Sequence, residues 1–389
     1  MNPSEDVGER PSILTFTATW KRLWALALLS RLMVLAVGLA AILGIGPSPD
    51  NRPPTVSANV VVDLTSRWDV GWYIGVASRG YDRDRIAQRN DRTAFFPAWP
   101  LTLRAVAQTV PRNSAAWAWI GAAASIILFS MALAQTHRVA QIYLPLERAD
   151  DAALLLAVYP FSIYFSVAYS ESLYLLAVSS AWLAAASNRP GAALAWGGLV
   201  GLTRPNGVTL VLPLLLARGL PKRAHLASAL LASIGPLCGV LAFSIFLAFW
   251  VGVPWQWLAA QDSWGRAHVG LLGLASAEWS FLRHNGVYGL LTGRPYDVLN
   301  MLGLIPLLLT PWIYRHMGIG AALVGPCALL PALAVGGWPS FGRYSSVAFP
   351  AFIAVAAMID RRHTPVIAAC GAMLAGLAAA LFFTFRPLY

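Results

Sequence analysis

Residues 23–45 read LWALALLSRLMVLAVGLAAILGI. A transmembrane helix needs about 20 consecutive apolar residues, so this run is long enough to cross a bilayer. It lacks a convincing A-x-A cleavage site, which predicts a retained first helix behind a cytoplasmic segment, residues 1–22. Arg31 interrupts the run, and an arginine at bilayer depth costs about 2.5–3.5 kcal/mol. We expect its side chain either to snorkel toward the cytoplasmic side or to face an internal cavity.

The composition of the whole chain agrees with a membrane protein. Of its 389 residues, 58% are hydrophobic and only 12% are charged, which excludes an ordinary soluble domain. The net charge of +11 comes mostly from basic residues in short connecting loops. This pattern indicates membrane topology rather than nucleic-acid binding, so we expect no nucleic-acid partner. The three cysteines lie in apolar stretches and the six histidines show no metal-ligand spacing. We therefore expect no disulfide framework, no metal and no cofactor.

A polar loop follows the first helix. Residues 46–93 are rich in Pro, Asp, Arg and Asn, and loops of this length are usually functional. Within the loop, residues 67–77 predict a short amphipathic helix at the membrane interface. One face of that helix carries, at helical spacing, Asp69, Trp72, Tyr73 and Val76. The chain re-enters the interface at Phe95–Pro100, where two prolines are expected to prevent a regular deep helix.

The remaining crossings are placed so that the basic loops fall on one side. We predict crossings near 114–137, 151–168, 171–187, 226–250, 297–314, 318–336, 344–359 and 364–385, with Leu194–Leu216 as a broken hairpin. Residues 138–150 and 218–224 then lie in the cytoplasm, while residues 46–93 and a second loop, 251–296, lie outside. Residues 23–385 are predicted to form a single membrane domain, followed by a tail at 386–389.

Four charged residues fall on the outer side, next to the predicted crossings, where charge is expensive. They are Asp69, Glu171, Arg204 and Arg343. Each has an ordinary explanation on its own, such as a carboxylate at a helix N-terminus or a cation that anchors a helix at the interface. Ionisable residues at such positions usually face one another or a water-filled cavity. Taken together, they predict a polar site just above the hydrocarbon.

Five ordered motifs carry a resemblance to a known family. They are Trp68-Asp69-x-x-Trp72-Tyr73 with Ala77 and Gly80-Tyr81, Phe95-Phe96-Pro97-x-x-Pro100, Tyr169-Ser170-Glu171-Ser172, Thr203-Arg204-x-Asn206-Gly207, and Arg343-Tyr344 with Phe349-Pro350. This set resembles the GPI mannosyltransferase 2 (PIG-V type) family of GT-C membrane glycosyltransferases. The chain looks shorter than eukaryotic members. Lys21 and Lys222 are its only lysines, which with the high alanine content suggests a bacterial-type member.

The resemblance implies an all-α polytopic membrane protein, a GT-C-like bundle of about 9–12 transmembrane helices with juxtamembrane helices in the first loop. It also implies a multi-pass enzyme of the plasma membrane whose site faces outward. The enzyme would transfer mannose from a polyprenyl-phosphate donor to a lipid, glycan or protein acceptor. Its expected partners are that donor, the acceptor and membrane lipids. The acceptor's identity does not carry over from the family.

The implied chemistry needs only one carboxylate, because polyprenyl phosphate leaves with little or no protonation. Asp69 is the expected general base, and direct displacement would invert a β-linked donor into an α-linked product. Arg343 or Arg204 would bind the donor phosphate, with Arg343 slightly favoured because it opens a crossing at the outer face. Other carboxylates in the loop that could compete as the base are Asp63, Asp82, Asp84 and Asp91.

Further site candidates come from the same motifs and from the second loop. They are Glu171, Trp68, Trp72, Tyr73, Asp91, Tyr169, Asn206, Tyr344 and His284. Two alternatives to a mannosyltransferase stay open. One is the same architecture with another polyprenyl-phosphate sugar, such as a pentose. The other is a transporter or lipid flippase whose substrate path is lined by the broken hairpin and its arginine.

Overall fold

A computed structural model describes residues 13–49, 55–83, 91–111, 113–262, 268 and 270–388, leaving out the side chains of residues 13–18 and of Asp91. Among these residues every regular element is a helix, and no strand occurs. The first nine helices are α1 (Ile13–Gly44), α2 (Val60–Asp63), α3 (Val70–Arg79), α4 (Ala98–Ala107), α5 (Ser114–Ala140), α6 (Leu146–Ala157), α7 (Glu171–Ala186), α8 (Pro190–Thr203) and α9 (Val211–Leu215).

The second half continues with shorter and more broken helices. They are α10 (Leu226–Ser233), α11 (Gly235–Trp250), α12 (Gln256–Ala259), α13 (Gly270–Gly293), α14 (Pro295–Asn300), α15 (Ile305–Leu308), α16 (Thr310–Met317), α17 (Ile319–Gly336), α18 (Phe341–Ser345), α19 (Pro350–Met358) and α20 (Thr364–Phe383). Short 3-10 segments occur at Asp91–Ala94, Pro160–Ser166, Pro205–Leu210, Arg223–His225, Met301–Leu304 and Arg361–His363. The predicted all-α class is confirmed.

In the described part of the chain, uninterrupted spans are fewer than the nine to twelve helices predicted. Within the described residues, 5 helical segments are long and apolar enough to cross a membrane, or up to 7 if two bent pairs each count as one span. Prolines cause much of the difference. Pro160 separates α6 from a short 3-10 segment inside the predicted crossing 151–168, and that segment meets α7 at 104° across residues 167–170. The protein is therefore polytopic, but several of its spans are broken.

Helix α7 forms the centre of the bundle. Almost every side chain from Glu171 to Ala185 is buried, and α7 packs against both α5 and α8. Helix α8 in turn packs closely on α11, because glycines remove the side chains between them. A Cβ added at Gly201 would lie 2.0 Å from the carbonyl oxygen of Pro236. This close packing fixes α8, and with it the break at Arg204 in the predicted hairpin.

Arg31 faces the interior rather than snorkelling. Its side chain is 1% exposed, and Nη2 donates to the carbonyl oxygen of Ala157 at 2.5 Å and to Ser162 Oγ at 2.9 Å. Nη1 donates to the Ser162 carbonyl oxygen. Arg31 thus satisfies backbone groups left open where α6 ends and the 3-10 segment begins. Of the two outcomes expected from the sequence, the internal one is observed.

The first loop and the segment that follows it contain more helix than expected. The amphipathic helix is present as α3, shifted to Val70–Arg79, and it packs on α4. Helix α4 was not expected, because two prolines were thought to prevent it. Pro97 occupies the N-cap and Pro100 lies in the first turn, where no backbone N–H is needed for an intrahelical bond. The prolines therefore start this helix instead of excluding it.

Candidate active site

The four charged residues singled out in the sequence meet at one place. Asp69 lies at the N-cap of α3, Glu171 is the first residue of α7, Arg204 occupies the break after α8, and Arg343 lies in α18. We call these four residues the charge cluster. Ion pairs join Asp69 to Arg343 and join Glu171 to both arginines. Two carboxylates and two guanidinium groups balance the charge of the cluster.

Arg343 links the two carboxylates. Its Nη1 donates to Asp69 Oδ2 at 2.6 Å, and its Nε donates to Glu171 Oε1. A third nitrogen, Nη2, lies 3.4 Å from the hydroxyl of Tyr73. The guanidinium also lies over the ring of Tyr169, 4.3 Å from its centroid. Every nitrogen of Arg343 is therefore directed at a protein group.

Arg204 is less fully engaged. Its Nη2 pairs with Glu171 and its Nε donates to Ser170 Oγ at 3.1 Å. The guanidinium lies 5.4 Å from the ring centroids of both Tyr174 and Tyr344. In the part of the chain that the structure describes, neither buried Nη1 nor buried Nη2 has a hydrogen-bond partner, and only Nη2 is engaged by an ion pair, with Glu171. Arg204 thus keeps one donor that an anionic ligand could use.

The members of the cluster differ in their access to solvent. The side chain of Glu171 is 0% exposed, those of Arg204 and Arg343 are 7% and 8% exposed, and that of Asp69 is 23% exposed. A buried ion pair is stable only when its charges are well matched and hydrogen-bonded, so Glu171 anchors two guanidinium groups that would otherwise be costly to bury. Asp69 is the carboxylate that an incoming molecule can reach.

Backbone geometry directs Asp69 toward the cluster. Trp68 has a φ of 53°, a conformation rare for a side chain of this size, and its Nε1 donates to the carbonyl oxygen of Phe382 at 2.9 Å. The Asp69 backbone N–H donates to the hydroxyl of Tyr169 at 3.0 Å. Although Asp69 holds the N-cap position, its side chain makes no cap hydrogen bond. Such local strain is often found at functional sites.

Tyr73 connects α3 to α7. Its hydroxyl and Ser170 Oγ are 3.0 Å apart, and its ring contacts the rings of Phe95 and Tyr169 edge-on, at 5.0 Å and 5.9 Å. Burial raises the pKa of Tyr73 and outweighs the opposing effect of the nearby Arg343 guanidinium, so its phenol stays neutral. Tyr73 therefore supplies a neutral hydroxyl beside the cluster.

The other candidates divide into two groups. Trp72 stacks on Phe95 at 5.9 Å and Tyr344 lies beside Arg204, so both contribute aromatic walls. Asn206 and His284 are not drawn into the cluster. The Asn206 amide donates to the carbonyl oxygen of Ala328 at 3.1 Å, and His284 is exposed on α13, bonded to Ser280 one turn earlier. The Asp91 side chain lies outside the described structure.

Two competing carboxylates have partners of their own. Asp63 is buried and pairs with Arg67 at 2.7 Å, which fixes the turn before Trp68. Asp82 is largely exposed and pairs with Arg92 at 3.0 Å. Asp84 lies outside the described residues. Among the residues that are described, no group of three or more His, Cys, Asp or Glu side chains could hold a metal ion.

Sequence reasoning missed the tyrosines on the inner side of the cluster. Arg343 lies 5.5 Å from the ring of Tyr164 and Arg204 lies 5.4 Å from that of Tyr174. Tyr174 could have been found, because it follows Glu171 by three residues and so shares its helix face. Tyr164 lies in a 3-10 segment that the sequence predicted as ordinary helix, so nothing marked its direction.

Comparisons with known proteins show which family this chain resembles. The family Mannosyltransferase (PIG-V) matches residues 24–217. This segment, just under half of the chain, is similar to the PIG-V mannosyltransferases. The PIG-V segment contains Asp69, Glu171 and Arg204, whereas Arg343 reaches the cluster from outside it.

A curated relative and two solved structures are also similar. GPI mannosyltransferase 2 of Drosophila pseudoobscura pseudoobscura is 28% identical over 184 residues, which cover 41% of this chain and only 39% of the relative's length. Two crystal structures of the Archaeoglobus fulgidus oligosaccharyltransferase align with a TM-score of 0.48. The complex with zinc and sulfate is 14% identical and the alignment covers 92% of this chain and 53% of that one. The apo form is 11% identical, with coverage of 94% and 56%.

Proposed function

We propose that the chain is an inverting membrane glycosyltransferase that moves mannose from a polyprenyl-phosphate donor to a lipid, glycan or protein acceptor at the extracytoplasmic face. The observation that carries the proposal is the pairing of one accessible carboxylate, Asp69, with the buried Arg343, which Glu171 holds together with a second buried arginine, Arg204. The match to the PIG-V mannosyltransferases supports mannose as the transferred sugar. The broken spans and apolar helices support a site at the membrane surface.

The reaction can proceed with one carboxylate. The Asp69 carboxylate accepts the proton of an acceptor hydroxyl while the acceptor oxygen attacks C1 of the sugar. The bond between C1 and the phosphate oxygen breaks, and polyprenyl phosphate leaves with both electrons of that bond. Attack from the opposite face inverts the anomeric carbon. The departing phosphate needs a cation rather than a proton donor.

Arg343 serves this chemistry by orienting the base. It bonds Oδ2 of Asp69, while Oδ1 accepts no hydrogen bond from the described residues and stays available for the acceptor proton. Glu171 in turn fixes Arg343 through Nε. A catalytic carboxylate works best when its own supporting contacts are fixed before the substrate arrives. We therefore assign Arg343 as the positioning residue for Asp69.

Arg204 is the better candidate for the donor phosphate. The sequence slightly favoured Arg343, but all three nitrogens of Arg343 already face protein groups. Arg204 has a buried Nη1 without a partner among the described residues. A phosphate oxygen there would form a charge-assisted hydrogen bond, the strongest type available to a guanidinium.

The proposed activity can be tested directly with purified protein in lipid nanodiscs. The protein is incubated with polyprenyl-phosphate mannose, glucose or a pentose, together with candidate lipid and glycan acceptors, and products are followed by mass spectrometry. We expect transfer from the mannose donor with inversion at C1. If the protein transferred sugar only from the pentose donor, its donor sugar would be a pentose and not mannose. Tight donor binding without transfer to any acceptor would instead favour the transporter or flippase alternative.

The orientation of the site gives a second testable prediction. In a variant whose three native cysteines are replaced by alanine, Ala58→Cys and Ala224→Cys place single thiols on exposed positions of the first loop and of the basic loop near Lys222. Because the basic loop should stay in the cytoplasm, a membrane-impermeant maleimide is expected to label Ala58→Cys in intact cells. Ala224→Cys should react only after permeabilisation. The opposite result would invert the topology.

A further inference from the structure

A basic pocket lies at the far end of the α7–α8 helix pair from the charge cluster. It encloses about 290 Å³. Its polar lining consists of Asn188, Arg218, Lys222, His225 and Ser228. Helix α7 runs from Glu171 in the cluster to Ala186 at the pocket, a length of about 24 Å at 1.5 Å per residue. The pocket is therefore separate from the proposed active site and opens on the side predicted to face the cytoplasm.

The cations of this pocket are not neutralised by carboxylates. Arg218 Nη1 donates to the neutral amide oxygen of Asn188 at 2.7 Å. Within the described residues, neither Arg218 nor Lys222 forms an ion pair with Asp or Glu. Other arginines predicted on the same face do form such pairs, at 2.7–3.0 Å, namely Arg148, Arg361 and Arg362. Arg218 and Lys222 therefore leave positive charge at the pocket without a carboxylate partner.

Helix ends add to this positive field. The N-terminus of α8 lies at the pocket through Pro190, and His225 holds the N-cap position of α10. Helix N-termini carry partial positive charge and present backbone N–H groups that no intrahelical acceptor uses. Two side-chain cations and two helix N-termini therefore lie at one cavity, where the C-terminal end of α7 offsets part of the positive field of the helix ends. An anion with several oxygen acceptors fits such an arrangement better than a neutral polar group does.

Apolar side chains surround the charged centre. Leu214, Ala185 and Ala232 contribute to the lining, and Leu220 at the rim is 81% exposed. Leu226 and Leu230 on α10 are also exposed. A soluble anion would gain nothing from these side chains, whereas the acyl chains of a lipid would pack against them. The cavity also approaches the lower end, about 300 Å³, of the volumes of ligand pockets.

We propose that this pocket binds the phosphate of an anionic phospholipid of the cytoplasmic leaflet, with Arg218 and Lys222 as the phosphate ligands. Basic pockets between transmembrane helices commonly bind such headgroups. The bound lipid would hold the α7–α8 pair at the inner surface while the other end of the pair carries Glu171 and Arg204. The proposal does not depend on the sugar-transfer reaction.

The proposal is tested by native mass spectrometry of the full chain in detergent, titrated with phosphatidylglycerol or with phosphatidylcholine of matched acyl chains. We expect one saturable phosphatidylglycerol site. The double variant Arg218→Gln/Lys222→Gln should weaken its affinity by about tenfold or more, as expected for losing hydrogen bonds to a charged group. The matched control is Arg223→Gln, which removes a charge from the same loop outside the pocket and should leave the affinity unchanged.

Three results would overturn the proposal. The double variant could bind phosphatidylglycerol as well as wild type does. Arg223→Gln could weaken binding equally, which would show that the loss of affinity comes from general surface charge and not from the pocket. Inorganic phosphate alone could displace the lipid at similar concentration, which would make the pocket a site for soluble phosphate. Thermal unfolding checks that the double variant is folded. If it is not, Lys222→Gln alone must still weaken binding more than Arg223→Gln, since Lys222 is exposed.

Discussion

Replacing Asp69 by asparagine is expected to lower the rate of sugar transfer by about 10²–10⁴-fold, the usual contribution of a positioned general base. The carboxamide keeps the shape of the side chain, and its oxygen can still accept the hydrogen bond from Arg343 Nη1. It cannot accept the acceptor's proton. We therefore expect the donor to bind with nearly unchanged affinity while kcat falls. The measurements are single-turnover transfer and, separately, donor binding without acceptor.

The matched control for this variant is Asp82→Asn. Asp82 lies in the same loop and also pairs with an arginine, Arg92, but its side chain is 55% exposed. Because exposed ion pairs contribute little, this variant should transfer sugar at nearly the wild-type rate. If Asp69→Asn kept its rate within a few-fold of wild type, Asp69 would not be the base. Asp91, the next carboxylate before Phe95, would then be the first to test.

The meeting of the four charged residues was predictable because burial of charge is expensive. An ionisable side chain beside a membrane span needs a partner or a polar cavity, so Asp69, Glu171, Arg204 and Arg343 had reason to meet. Motif order alone could not say which arginine pairs with which carboxylate. That depends on the break after α8 and on the turn before α18, where Ser340 has a φ of 66°.

The number of uninterrupted helices was harder to predict for a related reason. Apolar runs such as 151–168 and 344–359 satisfy the requirement of length, but Pro160 and Pro350 divide them into short helical pieces. Hydropathy measures whether a segment can lie in lipid. It does not detect a break in the helix, because neighbouring helices can supply hydrogen bonds to the backbone groups that the break leaves free. The contacts of Asn206 could not be predicted from the sequence pattern either. Its position in a motif suggested ligand binding, whereas its amide joins the segment after α8 to α17.

Replacing Arg204 by methionine is expected to weaken donor binding by about 10- to 150-fold, equivalent to about 1.5–3 kcal/mol. Methionine keeps much of the apolar stem but removes the Nη1 donor proposed for the phosphate. Glu171 stays paired through Arg343, so the variant is not left with an unpaired buried carboxylate. Arg204→Lys should restore only part of the affinity, because an ammonium cannot reproduce the planar fork of a guanidinium.

Arg343→Met provides the comparison that separates phosphate binding from orientation of the base. Glu171 again keeps one partner, Arg204, but Asp69 loses the Nη1 contact that directs its carboxylate. We therefore expect kcat to fall more than donor affinity does, the reverse of the pattern for Arg204→Met. Donor binding measured without acceptor, alongside single-turnover rates, distinguishes the two. A larger loss of donor affinity in Arg343→Met would show that Arg343 binds the donor phosphate, as its place in the sequence first suggested. Normal donor binding in both variants would make the two arginines structural partners of Glu171, and the phosphate would then have to bind outside the charge cluster.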